Sequence, residues 1–138
     1  MNTKPNSKLN TFLLYHLPAM LYAGLIIVLS SMSHLPSPQL GIFSSDKLIH
    51  FTEYAVFAFL FYRSFSKTLP LSGRFDSGSL VALITFALLL VFSAGDEFHQ
   101  KFVPGRSADV FDVIADVLGG TLVILFLHRR SKLDRNNL

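Results

Sequence analysis

From Leu9 to Ser45 the chain contains no Asp, Glu, Lys or Arg residue. The apolar part of this stretch, roughly residues 11–32, would be about 33 Å long as an α-helix, enough to cross the roughly 30 Å hydrocarbon core of a bilayer. The composition agrees, because 51% of the residues are hydrophobic and 15% are charged, which is typical of membrane proteins. We therefore predict an integral membrane protein that has the lipid bilayer as a partner.

Three later segments are also long and apolar enough to be membrane helices. Together with the first, they predict an all-α fold, an integral membrane bundle of four transmembrane helices at about 11–32, 46–63, 79–96 and 107–128. The length of 138 residues fits a single membrane domain, with flexible tails at 1–8 and 131–138. Pro18 is expected to disturb the first helix near its start. A cleaved signal peptide is the alternative for that segment, although no A-x-A-like cleavage site is present.

The basic residues indicate topology rather than nucleic-acid binding. The net charge is +3, but Lys and Arg flank the apolar segments and no nucleic-acid-binding motif is present. Nine of the twelve lie at the N-terminus, in the second connection and at the C-terminus, whereas the other connections and adjoining helix starts hold Lys47, Lys101 and Arg106. Since cytoplasmic loops are enriched in Lys and Arg, we expect a multi-pass protein of the cell inner membrane with cytoplasmic termini. The oligomeric state stays open, and the absence of Cys excludes disulfides and thiolate ligands.

The most polar stretch of the chain runs from Asp96 to Gly120, between two apolar runs. It holds five carboxylates together with a histidine, a lysine and an arginine. In a helix, Asp109, Asp112 and Asp116 project from one face, because they are separated by three and four residues. The other faces of that helix are apolar, so the acidic stripe requires partners inside the protein.

A second polar stripe opens the second helix. Asp46, His50 and Glu53 lie at positions i, i+4 and i+7, with Tyr54 beside them, and the expected topology brings this stripe to the same non-cytoplasmic side as the first. The helix N-cap is expected at Asp46 or the residue before it. Lys47 is predicted to extend to the membrane interface.

Asp112 is the strongest candidate for a functional residue, because a carboxylate one turn below Asp109 needs a specific partner. Four side chains could provide it, namely His50, His99, Lys101 and Arg106. Pro104–Gly105 is expected to form the turn before the fourth helix, and Gly119–Gly120 to allow close helix packing.

Two linked motifs resemble the pattern of the VanZ-like family of small membrane proteins. They are DKLIHFTEY at 46–54 and DEFHQKFVPGRSADVFDVIADVLGG at 96–120. The family pattern is D-K-x-x-H-F-x-x-Y, then D-E-x-x-Q, P-G-R, two spaced aspartates, an Asn and a Gly, so the match covers residues 46–120. The resemblance implies about four membrane helices and a role in the cell envelope, since the namesake is an accessory factor in teicoplanin resistance. This chain has Asp116 where the family usually has Asn, which adds an acid to the cluster.

The candidate binding site combines both motifs. Its predicted members are Asp46, Lys47, His50, Glu53, Tyr54, Asp96, Glu97, Gln100, Arg106, Asp109, Asp112 and Asp116. In the first hypothesis it binds an envelope lipid, a lipid-linked precursor or a glycopeptide-type ligand at the outer face of the membrane, with Arg106 and Lys101 meeting an anionic group.

Two other functions compete with binding. The site could belong to a membrane-embedded enzyme acting on phosphate or glycosyl linkages, with His50, Glu53 and Asp112 as catalytic candidates. A divalent cation is the cofactor that such chemistry would use, and its candidate ligands are Asp96, Glu97, Asp109 and Asp112. Alternatively, the polar stripes form a structural network or a protonation relay in a transport-accessory bundle.

Overall fold

The computed structural model describes residues 7–33, 45–69 and 77–136, and within these ranges every regular element is a helix. The elements are α1 (Ser7–Thr11), a π-helical turn (Phe12–His16), α2 (Leu17–Ser30), α3 (Ser45–Thr68), α4 (Ser77–Gln100) and α5 (Val110–Asn136). The predicted all-α fold is confirmed. Residues 34–44 of the first predicted connection, residues 70–76 of the second, and residues 1–6 and 137–138 of the predicted tails lie outside the described residues.

Three helical stretches are long and apolar enough to cross a membrane: Lys8–Ser30, Gly78–Gln100 and Val110–Asn136. The α3 helix is not among them, although the sequence predicted four such helices. Its 24 residues include five charged ones, Asp46, Lys47, Glu53, Arg63 and Lys67, which lower its hydropathy. By length and composition, three of the described helices are therefore candidate membrane spans.

The long helices pack as an up-and-down bundle. Lys47 near the start of α3 contacts Asp112 near the start of α5, so these two helices run in the same direction. Ser31, just after α2, contacts His99 near the end of α4, so α2 and α4 both end where α3 and α5 begin. We call this end of the bundle, formed by the start of α3, the end of α4 and the start of α5, the site end.

The irregularity expected at Pro18 takes the form of the π-helical turn that directly precedes α2. Proline lacks the backbone N–H that an α-helix needs, and a π-type turn accommodates such an interruption without ending the helix. His16 closes this turn, and its Nδ1 lies 2.6 Å from Ser64 Oγ of α3. The first helix is thereby attached to α3 at the end of the bundle opposite the site.

The α3 and α5 helices form the most extensive contact of the bundle. A Cβ atom at Gly119 would collide with the backbone carbonyl of Phe51, and one at Gly120 would collide with the Leu89 side chain. The prediction that these two glycines allow close helix packing is confirmed. Aromatic rings pack in the centre of the bundle, where the ring centroids of buried Phe57 and half-buried Phe92 are 4.7 Å apart.

The α5 helix begins and ends later than the sequence predicted. It starts at Val110 rather than near Ser107, after a turn in which Gly105 has a φ of 81°, a backbone conformation that favours glycine. It continues to Asn136, so residues 131–136, expected in a flexible tail, are helical. The α3 helix also extends beyond its predicted end, to Thr68.

Candidate functional site

Both sequence motifs meet at the site end. On α3, Lys47 and His50 are three residues apart, and on α5, Asp112 and Asp116 are four apart, so each pair lies on one helix face. Close packing at Gly119 brings the two faces together. The sequence prediction that α3 and α5 polar residues share a location is therefore matched by the structure.

Lys47 bridges two carboxylates rather than extending to the membrane interface as predicted. Its Nζ donates to Asp109 Oδ2 and to Asp112 Oδ1, both at 2.7 Å. The Asp112 side chain is 5% exposed. The ion pair with Lys47 therefore stabilises a carboxylate that would otherwise be buried without a lysine partner. Lys47 was absent from the predicted partners of Asp112, because its position beside a helix start suggested an interfacial role.

Asp109 caps α5 and joins it to α4. Its Oδ1 accepts from the backbone N–H of Phe111 at 2.9 Å, the usual role of an N-cap side chain. Its own backbone N–H donates to Glu97 Oε2 at 2.8 Å. The hydrogen bond from Lys47, with that from Phe111, holds the pKa of the Asp109 carboxyl below its usual value, because both favour the charged form.

A buried chain of hydrogen bonds orients His50. The His50 Nδ1 lies 3.0 Å from Asp116 Oδ1, and Ser93 Oγ donates to Asp116 Oδ2 at 2.7 Å. Because the carboxylate accepts, Nδ1 carries the proton, which leaves Nε2 facing Asp112 Oδ2 at 4.0 Å. Asp116 is fully buried and acts as the orienting group for the imidazole.

Sequence reasoning missed Ser93, which it placed inside the most apolar helix. The role of Ser93 could have been recognised from the periodicity. Asp96 and Glu97 lie three and four residues after Ser93, and Gln100 lies four and three residues after them, which is the spacing of one helix face. All four side chains are buried on α4. A polar residue that continues such a stripe into an apolar helix belongs with the stripe.

Asp96 and Glu97 each retain an oxygen without a hydrogen-bond partner among the described residues. Asp96 Oδ2 accepts from Gln100 Nε2 at 3.4 Å, whereas Asp96 Oδ1 and Glu97 Oε1 are buried and unpartnered. The side chains are 8% and 5% exposed. Buried carboxylate oxygens are normally satisfied by donors, so the site has an excess of acceptors.

The group best arranged for a cation differs from the predicted one. Among the described residues, Asp46, His50 and Asp112 each offer a ligand atom, and these atoms lie within 4.8 Å of one another. Of the four predicted metal ligands, this group includes Asp112 alone. The others have different roles, since Asp109 pairs with Lys47 and caps α5, and Glu97 accepts from the Asp109 backbone.

Other predicted site residues have structural positions. Arg106 donates to the backbone carbonyls of Leu29 and Met32 at 3.3 and 3.2 Å, which satisfies the end of α2. The Lys101 ammonium lies 5.7 Å from the Phe98 ring centroid. The contacts that the structure shows for these two cations are thus with backbone carbonyls and with an aromatic ring.

Three residues of the 46–54 motif lie apart from this hydrogen-bonded network. Tyr54 is fully buried, and its ring packs beside Phe57 and Phe92. Asp46 lies inside the first turn of α3, not at its N-cap. Glu53 is half-buried one turn after His50 and forms no hydrogen bond within the described part of the chain.

Comparison with known proteins agrees with the motifs. The family model described as VanZ/LLP1 matches residues 4–130. The uncharacterized protein C11E3.10 of Schizosaccharomyces pombe (strain 972) is 30% identical over 102 residues, which is 72% of this chain and 57% of that protein. The chain thus spans little more than half the length of this curated relative. No solved structure matches the chain. With its family model covering nearly the whole sequence, the chain belongs to the VanZ/LLP1 family.

Proposed function

We propose that α3 also crosses the bilayer, giving four membrane spans in the inner membrane with the site end at the outer face. Between Glu53 and Arg63 the helix carries no charged residue. Its charged start is turned towards α5, where Lys47 pairs with acids, and polar groups that face protein are tolerated in a span. The excess of Lys and Arg at the opposite end supports cytoplasmic termini.

We further propose that the site end binds the polar headgroup of an envelope lipid, a lipid-linked precursor or a glycopeptide-type ligand through the ligand's hydrogen-bond donors. The observation that carries this proposal is the pair of buried, unpartnered oxygens on Asp96 and Glu97. Leaving such groups unsatisfied is costly. A ligand with hydroxyl or ammonium groups would satisfy both oxygens.

The charge balance of the site favours the same ligand chemistry. Asp96, Glu97, Asp112 and Asp116 are all buried, and among the described residues the basic side chains that contact them are Lys47, at Asp112, and His50, at Asp112 and Asp116. An anionic group would meet repulsion here, whereas a hydroxyl-rich or cationic group would be attracted. This changes the expected ligand from one recognised by basic side chains to one recognised by carboxylates.

Mass spectrometry of the purified protein tests the proposal. We expect an envelope lipid to copurify with the wild type, or a glycopeptide to bind it, and the bound amount to fall about tenfold in Glu97→Gln, equivalent to about 1.4 kcal/mol. Glutamine keeps an oxygen for the Asp109 N–H, so the fold should be retained. Asp134→Asn, which removes an exposed acid at the far end of α5, is the matched control. Equal binding by Glu97→Gln and wild type would disprove the proposal.

A second function, a membrane-embedded enzyme, is favoured by the group Asp46, His50 and Asp112. A histidine that donates from one ring nitrogen to a carboxylate and presents the other is the usual arrangement of a metal-bound imidazole. His50 has this arrangement through Asp116. A divalent cation here would polarise a phosphate or glycosyl linkage, or His50 Nε2 would act as a general base.

Metal analysis and activity assays distinguish this function from simple binding. The enzyme hypothesis requires a divalent cation that remains with the purified protein, or turnover of an envelope lipid, and loss of either in Asp46→Asn. Asp46 forms no hydrogen bond to the described residues, so this variant should fold normally. Turnover and metal that are both absent from the wild type would leave binding as the function.

A further inference from the structure

A cavity of about 350 Å³ lies between α2 and α4. Its α2 wall includes Ile27, and its α4 wall is one face of the helix, formed by Leu88, Val91, Phe92, Gly95, Asp96 and His99. These positions follow the three-and-four spacing of a single helix face. We call this cavity the α2–α4 groove.

The α2–α4 groove changes from polar to apolar along its length. His99 and Asp96 lie at the site end, and Leu88 lies eight residues deeper than Asp96, about 12 Å along the helix axis. His99 Nε2 contacts Ser31 Oγ at 3.0 Å, which joins α2 and α4 beside the polar part. A groove with this order matches a molecule that has a polar head and an apolar tail.

Asp96 gives the groove a specific polar group. Its side chain is 8% exposed, and Oδ1 has no hydrogen-bond partner within the described ranges. The existing bond from Gln100 to Oδ2 is long, at 3.4 Å. A charged donor is the natural complement of this oxygen, since charge-assisted hydrogen bonds to carboxylates are the stronger kind.

We infer that the α2–α4 groove holds one alkyl chain of an amphiphile whose ammonium head donates to Asp96 Oδ1. The inference rests on the proposed function, and it adds the class of ligand and the path of its chain. The chain lies against Gly95, Phe92 and Leu88, where burial of methylene groups contributes affinity. The head lies at the site end of the groove, where Asp96 and His99 line it.

Gly95 allows the groove to be blocked without disturbing the fold. A Cβ atom added there meets no atom within 4 Å, and the same is true of Gly24, an exposed glycine on α2. Gly95→Leu should therefore fill the groove, while Gly24→Leu adds the same side chain to a membrane helix outside it. The two variants form a matched pair.

The test uses a dodecylamine with a photoactivatable diazirine in its chain, added to the purified full-length protein. We expect crosslinks at Val91 or Leu88, reduced about tenfold in Gly95→Leu and unchanged in Gly24→Leu. A dodecanoic acid with the same diazirine should label these residues about tenfold less than the amine, and Asp96→Asn should remove that difference. Equal labelling by the two probes in the wild type, or undiminished labelling in Gly95→Leu, would overturn the inference.

Two further arms identify the source of the amphiphile and separate this inference from the proposed function. Protein in phosphatidylethanolamine nanodiscs should be labelled less than in phosphatidylglycerol nanodiscs if the ammonium ligand is a bilayer lipid, and equally if it is a free amphiphile. If Glu97→Gln loses copurifying ligand while Gly95→Leu keeps full labelling, the groove inference is wrong and the proposed function stands. If neither variant has an effect, both are wrong.

Discussion

Lys47 is the residue whose role differs most from its sequence-based interpretation. A lysine beside a helix start in a membrane protein commonly extends to the interface. Here the neighbouring acids of α5 lie within 2.7 Å of its Nζ, because α3 and α5 are parallel and start together. The sequence contained both partners, but it did not contain the direction in which one helix lies beside the other.

Replacing Lys47 should destabilise the bundle because it leaves Asp112 buried without a cation. We expect Lys47→Ala to lower the free energy of unfolding by about 1–3 kcal/mol, a range below that for fully buried pairs since the Lys47 side chain is 34% exposed. Denaturant unfolding in micelles measures this. Lys101→Ala, at an exposed residue over the Phe98 ring, is the control and should change stability by about 0.5 kcal/mol or less. A similar loss of stability in both variants would contradict a stabilising role of the ion pair between Lys47 and Asp112.

Asp116 can be exchanged for the Asn that the family pattern has at this position. Asn keeps an oxygen for His50 Nδ1, and its amide can donate to Ser93 Oγ, so Asp116→Asn should cost about 1 kcal/mol or less. Asp116→Ala leaves both partners unsatisfied in a buried place and should cost about 1–3 kcal/mol. Thermal unfolding of the two variants checks this. Equal losses would mean that the hydrogen bonds to Asp116 contribute little.

Asp109 should make stability depend on pH at the acidic end of the scale. Lys47 lowers its pKa from the ordinary value of 3.8, so its contribution is complete above that value and is lost as the pH falls through the lowered pKa. Asp109→Asn removes the charge but keeps a good N-cap. We expect the unfolding midpoint of this variant to lie below that of the wild type near neutral pH and to converge with it as the pH falls through the lowered pKa of Asp109. A difference that stays constant throughout the acid titration would exclude the ion pair as its cause.

At the scale of the helices, the sequence predicted the number and order of elements, since each apolar run became a helix. It misplaced the boundaries where polar residues continue a helix. The α5 helix extends through His128 and Arg129 to Asn136, because nothing in that segment stops a helix, while hydropathy alone suggested an end at the membrane surface. The α5 helix starts later than predicted because Asp109, which was expected inside the helix, is its N-cap.

The contact between α3 and α5 yields a prediction about glycines. Gly119→Ala should destabilise the bundle by about 1–3 kcal/mol, because the added methyl group collides with backbone at Phe51. Gly120→Ala should cost less, since Leu89 can move its side chain. Gly24→Ala has open space and should be neutral or stabilising by up to about 1 kcal/mol. Chemical unfolding of the three variants measures the order, and a Gly119 variant as stable as the Gly24 variant would refute the close packing.

At the scale of the whole molecule, composition and periodicity were enough for the fold class, and two motifs were enough for the family. The convergence of His50, Asp112 and Asp116 was predictable because polar stripes on apolar helices must face one another. The unpartnered oxygens of Asp96 and Glu97 and the α2–α4 groove were not predictable, because they depend on distances between helices that no periodicity specifies.

The orientation of the molecule in the membrane can be measured on its cysteine-free sequence. Ser107 lies exposed in the connection between α4 and α5, and Asn136 is exposed at the other end of α5. We expect a membrane-impermeant thiol reagent added outside intact cells to label Ser107→Cys and to spare Asn136→Cys until the cells are opened. The opposite labelling pattern would invert the proposed topology, and labelling of both from outside would exclude a membrane-spanning α5.

The close approach of the Phe51 carbonyl to Gly119 also determines which part of the protein can yield. Sliding α3 along α5 by one turn, about 5.4 Å, would separate His50 from Asp116, so these two helices act as a fixed frame. The α2 helix touches its neighbours less than any other long helix and is joined to the site end through Ser31 and the Arg106 contacts. If a molecule enters the α2–α4 groove as inferred above, we expect α2 to move, because α3 and α5 are locked together at Gly119.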